Sequence, residues 1–328
     1  PKSPRAGGKP PTFPPAMPPP RLLVLAGLVL PLLAAPPAGA APPPDLFARE
    51  NLVAWCIVPF DAKKRGPEER AAMLEKLGFT QFAYDYRAEH IPTFDAEMAA
   101  LQRHHIRLLA WWFPRTLNDE ARLILDVLTR HHQRGVQLWV TGAGAPTKSP
   151  EEQRARVASE AARLRPIAEA AAKLEGTVAL YNHGAWFGEP ENQLELIAHL
   201  RAAGITNVGL VYNLHHGHDH LARFPALLAQ MKPHLLALNL NGTVPGGDKT
   251  GQKIVPLAQG ELDAPLLTAI RDSGWRGPIG ILNHTDEDAE GRLRDNLAGL
   301  DWLRAKISGQ PAGARPTPLT WRAPTTKL

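Results

Sequence analysis

Eight short apolar runs recur along this chain, each followed by an amphipathic stretch. That alternation restricts the fold more than any other feature. The runs are NLVAWCIVPF (51–60), FTQFAYDY (79–86), IRLLAWWF (106–113), VQLWVTG (136–142), TVALYNH (177–183), NVGLVYN (207–213), LLALNLN (235–241) and PIGILNH (278–284). They are nearly continuous in apolar residues, the pattern of strands buried on both faces in a parallel sheet. The stretches between them carry helix punctuation. PEERAAMLEKLG repeats apolar residues at three- and four-residue spacing and stops at Gly78. Ser149-Pro150-Glu151-Glu152 predicts a capping box with Pro at the first helical position. GEPENQLELIAHL, DAPLLTAI and TDEDAEGRL start later helices, the last with Thr285 as cap and Asp286, Glu287 and Asp288 in its first turn. Eight βα units predict an α/β chain that closes into a single (β/α)8 TIM barrel over residues 51–307. An open doubly wound sheet is the competing architecture, and eight units in about the usual barrel length favour closure.

The two ends read differently. RLLVLAGLVLPLLAA (21–35) has the length and composition of the apolar core of a signal peptide, and Ala38-Gly39-Ala40 supplies a small-residue cleavage pattern before Ala41. Residues 1–40 are therefore expected to be a leader, with Met17 as a start that would give it ordinary length, and residues 41–50 a linker. The expected location is exported, periplasmic or secreted, with no stable membrane span once the leader is removed. Cys56 is the single cysteine, so no intrachain disulfide can form and stability must come from the core. Residues 308–328 hold four prolines and no apolar period, the composition of a disordered tail. The formal charge of +5 is concentrated in the leader, where Lys2, Arg5, Lys9 and Arg21 face no acids, which leaves +1 for residues 41–328. A chain so balanced has no basic domain for nucleic acid.

In a (β/α)8 barrel, chemistry sits where strands end and βα loops begin. Polar residues gather there. Asn182, Asn213, Asn239, Asn241 and Asn283 all stand at predicted strand ends, as do His183, His215, His216 and His284. The sixth strand runs into NLHHGHDH, with four histidines in six residues. By contrast, His104, His105, His131, His132 and His234 fall at predicted helix C-termini, where a partial positive charge suits the helix dipole.

YNHG after the fifth strand, NLHH after the sixth, and KIVPLAQGELDAPLLTAIRDSGWRGPIGI across the seventh unit carry a resemblance. Over residues 50–305 the sequence resembles the xylose isomerase-like barrels, the sugar isomerase/epimerase superfamily that includes a branch of DNA-repair endonucleases. The resemblance implies a small carbohydrate as partner and proton transfer next to a carbonyl. It also implies a divalent cation held by Glu, Asp, His and Glu on strands five to eight. Those ligand positions fall here on Tyr181, Asn213 and Asn239, with Leu282, Asn283 and His284 near the last. Neutral amides are poor ligands for Mg²⁺ or Mn²⁺, so the cofactor of the resemblance is not carried over. A rebuilt histidine site of His183, His216 and His284, suited to Zn²⁺, is the alternative.

His183, His216 and Asp85 are the candidate catalytic residues, because imidazoles and a carboxyl near the barrel mouth can move protons at working pH. The structural alternatives are hydrogen bonds to loop backbone for the histidines and an Asp85–Arg87 pair that fixes a loop. Asn182, Asn213, Asn239 and Asn241 are candidates for holding hydroxyls, since each amide both donates and accepts. Trp112 and Trp186 are candidates for stacking on a sugar face, and Arg87 completes the candidate binding set. Alternation along the third strand lets only one of Trp111 and Trp112 face inward. Asp219 and His220 are expected to open a helix. Glu189 precedes Pro190 at a helix start and is either a carboxylate on the helix dipole or a general acid opposite Asp85. TGAGAP (141–146), Lys148 and Lys253 are weak signals for anion binding. The function expected from the sequence is an exported sugar isomerase or epimerase. The alternatives are a carbohydrate-binding barrel that lost catalysis, and a glycoside hydrolase or lyase.

Overall fold

A computed structural model describes residues 45–322. The expected leader and residues 41–44 of the linker lie outside the described residues, as do positions 323–328. Eight parallel strands follow one another round a closed barrel, β1 (Leu52–Trp55), β2 (Gln81–Tyr84), β3 (Arg107–Phe113), β4 (Gln137–Val140), β5 (Thr177–Tyr181), β6 (Val208–Asn213), β7 (Leu235–Leu240) and β8 (Ile279–Leu282). Closure is made by β8 alongside β1, with Leu52 beside Ile279 and Trp55 beside Leu282. Each of the eight expected strands is present, and the doubly wound alternative is excluded. The helices are α1 (Pro67–Lys76), α2 (Phe94–Arg103), α3 (Asp119–Arg130), α4 (Pro150–Ala172), the single turn α5 (Ala185–Gly188), α6 (Pro190–Ala202), α7 (Phe224–Met231), α8 (Asp263–Asp272) and α9 (Ala289–Ile307).

Local signals explain most boundaries. Ser149 caps α4 by accepting from the Glu152 amide at 3.2 Å, while the Glu152 carboxylate accepts from the Lys148 amide rather than closing the box on Ser149. Gly78 ends α1 with φ +77°, and His105 and His132 take the same left-handed position after α2 and α3. One start differs from expectation. α9 begins at Ala289 with Asp288 as its cap, so Thr285 does not cap it and Asp286 and Glu287 precede it. The reason is an ion network at the barrel seam. Asp61, after β1, accepts from the Ala289 amide at 3.1 Å and from Arg65 at 2.8 Å, and Arg65 also reaches Asp288 at 2.7 Å. Asp219 and His220 lie in a 3-10 turn (His218–Arg223) ahead of α7 rather than at its start.

Strand alternation divides the core into two shells. Outward residues such as Trp111, Phe113 and Tyr212 pack under the helices, and inward ones fill the barrel. Inside, Ala83, Ala110, Ala179 and Ala237 leave room for Trp55, Trp139 and Tyr181. Trp55 and Trp139 meet edge to face at 4.5 Å, and Trp112 meets Tyr181 at 4.9 Å. This aromatic layer fills the interior, so any ligand must sit above it, at the C-terminal strand ends.

The Pro-rich segment after α9 has no helix or strand through Arg322, in keeping with its lack of an apolar period. It is nonetheless tied to the barrel. Asp295 of α9 accepts from the Leu319 amide at 2.6 Å, the Thr320 amide at 3.0 Å and the Thr320 hydroxyl at 2.7 Å.

Candidate functional site

A pocket opens above the aromatic layer. Its floor is made by Trp55, Cys56, Asp85 and Tyr181, and its walls by Trp112, His183, His215, His216, His284, Phe60 and Arg87. Its volume is about 70 Å³, room for a few waters. A larger ligand would extend from it into the mouth.

Asp85 is the only carboxylate in the lining. It stands just past β2, is 2 % exposed, and accepts from the Val58 amide at 3.3 Å through one oxygen. Its other oxygen, Oδ2, has no hydrogen-bond partner among the described residues. Burial pushes the carboxyl up to about 7, against the pull of Arg87 and the Val58 amide. Arg87 does not pair with the Asp85 carboxylate. Its guanidinium donates to the backbone carbonyls of Asp85 and Tyr86 at 3.3 and 2.8 Å.

The histidines form a continuous arc. Ring centroids are 4.5 Å apart for His183 and His216, 3.7 Å for His215 and His216, and 5.7 Å for His215 and His284. Burial lowers the pKa of each, with help from neighbouring imidazoles and Lys253 for His215 and His216. His216 falls to about 2. His183 and His284 are lowered by the same desolvation, with Lys253 next for the first and Arg87 for the second. All four are neutral near pH 7, each with one N–H to donate and one lone pair to accept.

The structure brings His183, His216, Asp85, Trp112 and Arg87 to one pocket and takes the other sequence candidates elsewhere. Trp186 is buried beside α4, where its indole N–H donates to Gln153 at 2.7 Å, so it offers no sugar-stacking surface. The asparagines are used on one another. Asn213 donates to Asn182 Oδ1 from its amide side chain at 3.1 Å and from its backbone at 2.8 Å. Asn239 donates to Asn213 Oδ1 at 2.6 Å. Gly280 makes room for this ladder, since a Cβ there would stand 1.7 Å from Asn239 Oδ1. Asn241 donates to the Gly242 carbonyl at 2.8 Å. None of the four asparagines expected to hold hydroxyls is among the residues that line the pocket. Glu189 accepts from Arg223 and lies 3.2 Å from His220, outside the pocket. The two-carboxylate arrangement of a glycosidase is therefore absent from the described pocket lining.

Five lining residues, Trp55, Cys56, Phe60, Tyr181 and His215, are not among the site candidates of the sequence. His215 stands at a strand end beside His216 and is buried in the arc. Cys56 follows β1 with φ +58°, a left-handed backbone that costs a non-glycine residue about 1–3 kcal/mol and that clusters at functional sites. Phe60 meets His284 edge to face at 4.0 Å. Alternation along the first strand could have flagged Trp55, but nothing in the sequence signals the turn at Cys56.

The residues do not fit the divalent cation that the resemblance implies. Tyr181 and the amide ladder occupy the ligand positions, and the one pocket carboxylate is elsewhere, on Asp85. His183, His216 and His284 share the pocket, but among the described residues no group of three or more His, Cys, Asp or Glu side chains is placed to hold one ion.

The closed eight-stranded parallel barrel, with helices between its strands and a polar pocket at the C-terminal strand ends, is a (β/α)8 TIM barrel. No family model and no curated protein matches the sequence. Solved structures do match in fold. One is a 3-keto-D-glucoside 4-epimerase from E. coli (14 % identity, TM-score 0.56, covering 78 % of this chain and 99 % of that one). A xylose isomerase domain protein from Alicyclobacillus acidocaldarius is 19 % identical with TM-score 0.56, covering 80 % and 100 %. A D-psicose 3-epimerase from Clostridium cellulolyticum H10 is 13 % identical with TM-score 0.52, covering 78 % and 98 %. These likenesses show the fold, an eight-stranded (β/α)8 barrel shared with those proteins. No helix among the described residues is long and apolar enough to cross a membrane.

Proposed function

We propose that this barrel is a sugar isomerase or epimerase-like enzyme that moves a proton on the carbon next to a carbonyl, with Asp85 as the base. The observation that carries the reading is Asp85 itself, a buried pocket carboxyl with one unpartnered oxygen. A group held near 7 is matched to both taking and returning a proton at neutral pH. Asp85 removes the proton from carbon, and the electron pair moves to the carbonyl oxygen as an enediolate. A neutral imidazole N–H, from His183 or His216, stabilises that oxygen without surrendering its proton. Protonated Asp85 then delivers the proton to the former carbonyl carbon while the proton of the adjacent hydroxyl passes to the former carbonyl oxygen, which completes an aldose–ketose isomerisation. Trp112 and Tyr181 offer apolar rings for the sugar's C–H face.

The test is proton NMR of aldoses and ketoses incubated with the protein in D₂O. Deuterium should enter at carbon next to the carbonyl, and Asp85→Asn should slow entry by about 10²-fold or more. Exchange that survives in Asp85→Asn removes Asp85 from the mechanism. A second reading is a carbohydrate-binding barrel without catalysis, favoured by the amide ladder at the positions where the resemblance implies metal ligands. Sugar binding by calorimetry with no deuterium entry would select it. Export belongs to the proposal too, on the strength of the apolar run and cleavage pattern in residues 21–40. N-terminal sequencing of the mature protein, expected to begin at Ala41, tests it.

A further inference from the structure

We infer that the ligand of this mouth is an anionic sugar, with Arg87 and the nearby Lys253 receiving its oxyanion. This rests on the proton-transfer reading only for the word sugar; the charge argument is independent of it. Arg87 is the one permanently charged side chain in the pocket lining. The four imidazoles are neutral near pH 7, and Asp85 is divided between its two forms. The remaining lining is aromatic or thiol, which screens charge poorly.

Arg87 is also fixed in place. Its Nη1 is used on the Asp85 and Tyr86 carbonyls, and its guanidinium carbon lies 5.4 Å from the Phe60 ring centre. Other arginines, such as Arg65 and Arg130, are paired with carboxylates. The described hydrogen bonds of the Arg87 guanidinium go to backbone carbonyls alone, leaving Nε and Nη2 as donors to a ligand. Such a fork suits a carboxylate or phosphate oxyanion.

Lys253 adds a second cation from the loop between β7 and α8. That loop is held at the mouth by its own backbone, because the Lys253 carbonyl lies 3.0 Å from His218 Nε2 and accepts from Asn241 at 3.4 Å. Its positive field reaches all four histidines of the arc. Asp248 lies 3.8 Å from His218 and Asp286 acts on His284; like Lys253, both stand outside the pocket lining, so Arg87 carries the charge inside it. A neutral sugar would leave Arg87 with only the partly ionised Asp85 as a counter-charge in the pocket.

The experiment is calorimetric titration of the full chain with D-glucose, D-glucuronate, D-gluconate and D-glucose 6-phosphate at low and moderate salt. At least one anion should bind about tenfold or more tighter than glucose, and salt should shrink the difference. Arg87→Gln and Lys253→Gln, both at exposed positions, should each reduce the preference, Arg87→Gln the more. Tighter uronate or gluconate identifies a carboxylate, and tighter 6-phosphate a phosphate. Equal binding of glucose and the anions, wild-type behaviour in both variants, or no binding of any probe would overturn the inference. Deuterium entry into sugars without charge preference sinks this inference and spares the proton-transfer reading. Charge preference without deuterium entry does the reverse.

Discussion

Asp85 is where burial has a direct thermodynamic signature. Its carboxyl is raised from 3.8 to about 7 by desolvation, so the folded chain keeps a proton that the unfolded chain releases. By linkage, Asp85 costs no stability below about pH 4, the penalty accumulates as pH rises toward 7, and it then levels off. Asp85→Asn does not titrate. The melting temperature of the variant minus that of the wild type should therefore increase between pH 5 and pH 8, read by calorimetry or far-UV circular dichroism. A difference that stays flat would place the Asp85 carboxyl at an ordinary value and remove it as a neutral-pH base.

At the scale of elements, polar groups are used to fix how neighbouring units meet. Arg70 of α1 pairs with Glu97 of α2, and both side chains are almost wholly buried. Arg70 also donates to the Arg65 carbonyl, which anchors the loop running back to the barrel seam. Removing one partner strands the other charge in the core, so Arg70→Met should lower stability by about 3–5 kcal/mol. The double replacement Arg70→Met with Glu97→Leu should recover most of that loss, since an apolar pair of similar volume replaces a desolvated ion pair. Urea midpoints of the two variants check both statements, and equal losses would mean that the pair itself is stabilising. The amide ladder of Asn182, Asn213 and Asn239 works similarly, joining β5, β6 and β7 at the height where the resemblance would put a metal.

Across the whole molecule, the histidine arc decides the response to acid. Each imidazole whose folded pKa is lowered is neutral in the folded chain where the unfolded chain is charged, so stability is present above about pH 6.5 and is lost as pH falls below it. A histidine that stays neutral costs about 1.4 kcal/mol for each pH unit below its unfolded value. The raised carboxyls of Asp85, Asp263 and Glu97 act in the opposite direction, but His90 and His234 are lowered along with the arc, so three carboxyls stand against six histidines and the histidines win. The melting temperature should fall from pH 7 to pH 5, and His216→Asn should flatten that fall. An unchanged slope in the variant would show that His216 titrates normally.

The sequence by itself determined the barrel. Eight apolar runs, eight amphipathic stretches and their capping residues are local signals, and a strand buried on both faces reads the same wherever it lies in the sheet. It also put Asp85, His183, His216, Trp112 and Arg87 at the mouth, because strand ends are countable along a chain. What it could not settle was which polar side chain faces a ligand and which faces another side chain. Asn213 and His216 stand three residues apart, yet one closes a ladder across β5–β7 and the other walls the pocket. Trp112 stands near the end of β3 and Trp186 just past β5, but only the first turns inward. Those outcomes depend on contacts between residues 30 to 200 positions apart, such as Asn213 with Asn182 and Phe60 with His284. Only the closed barrel, by setting which strands are neighbours and which loops overhang them, decided the site.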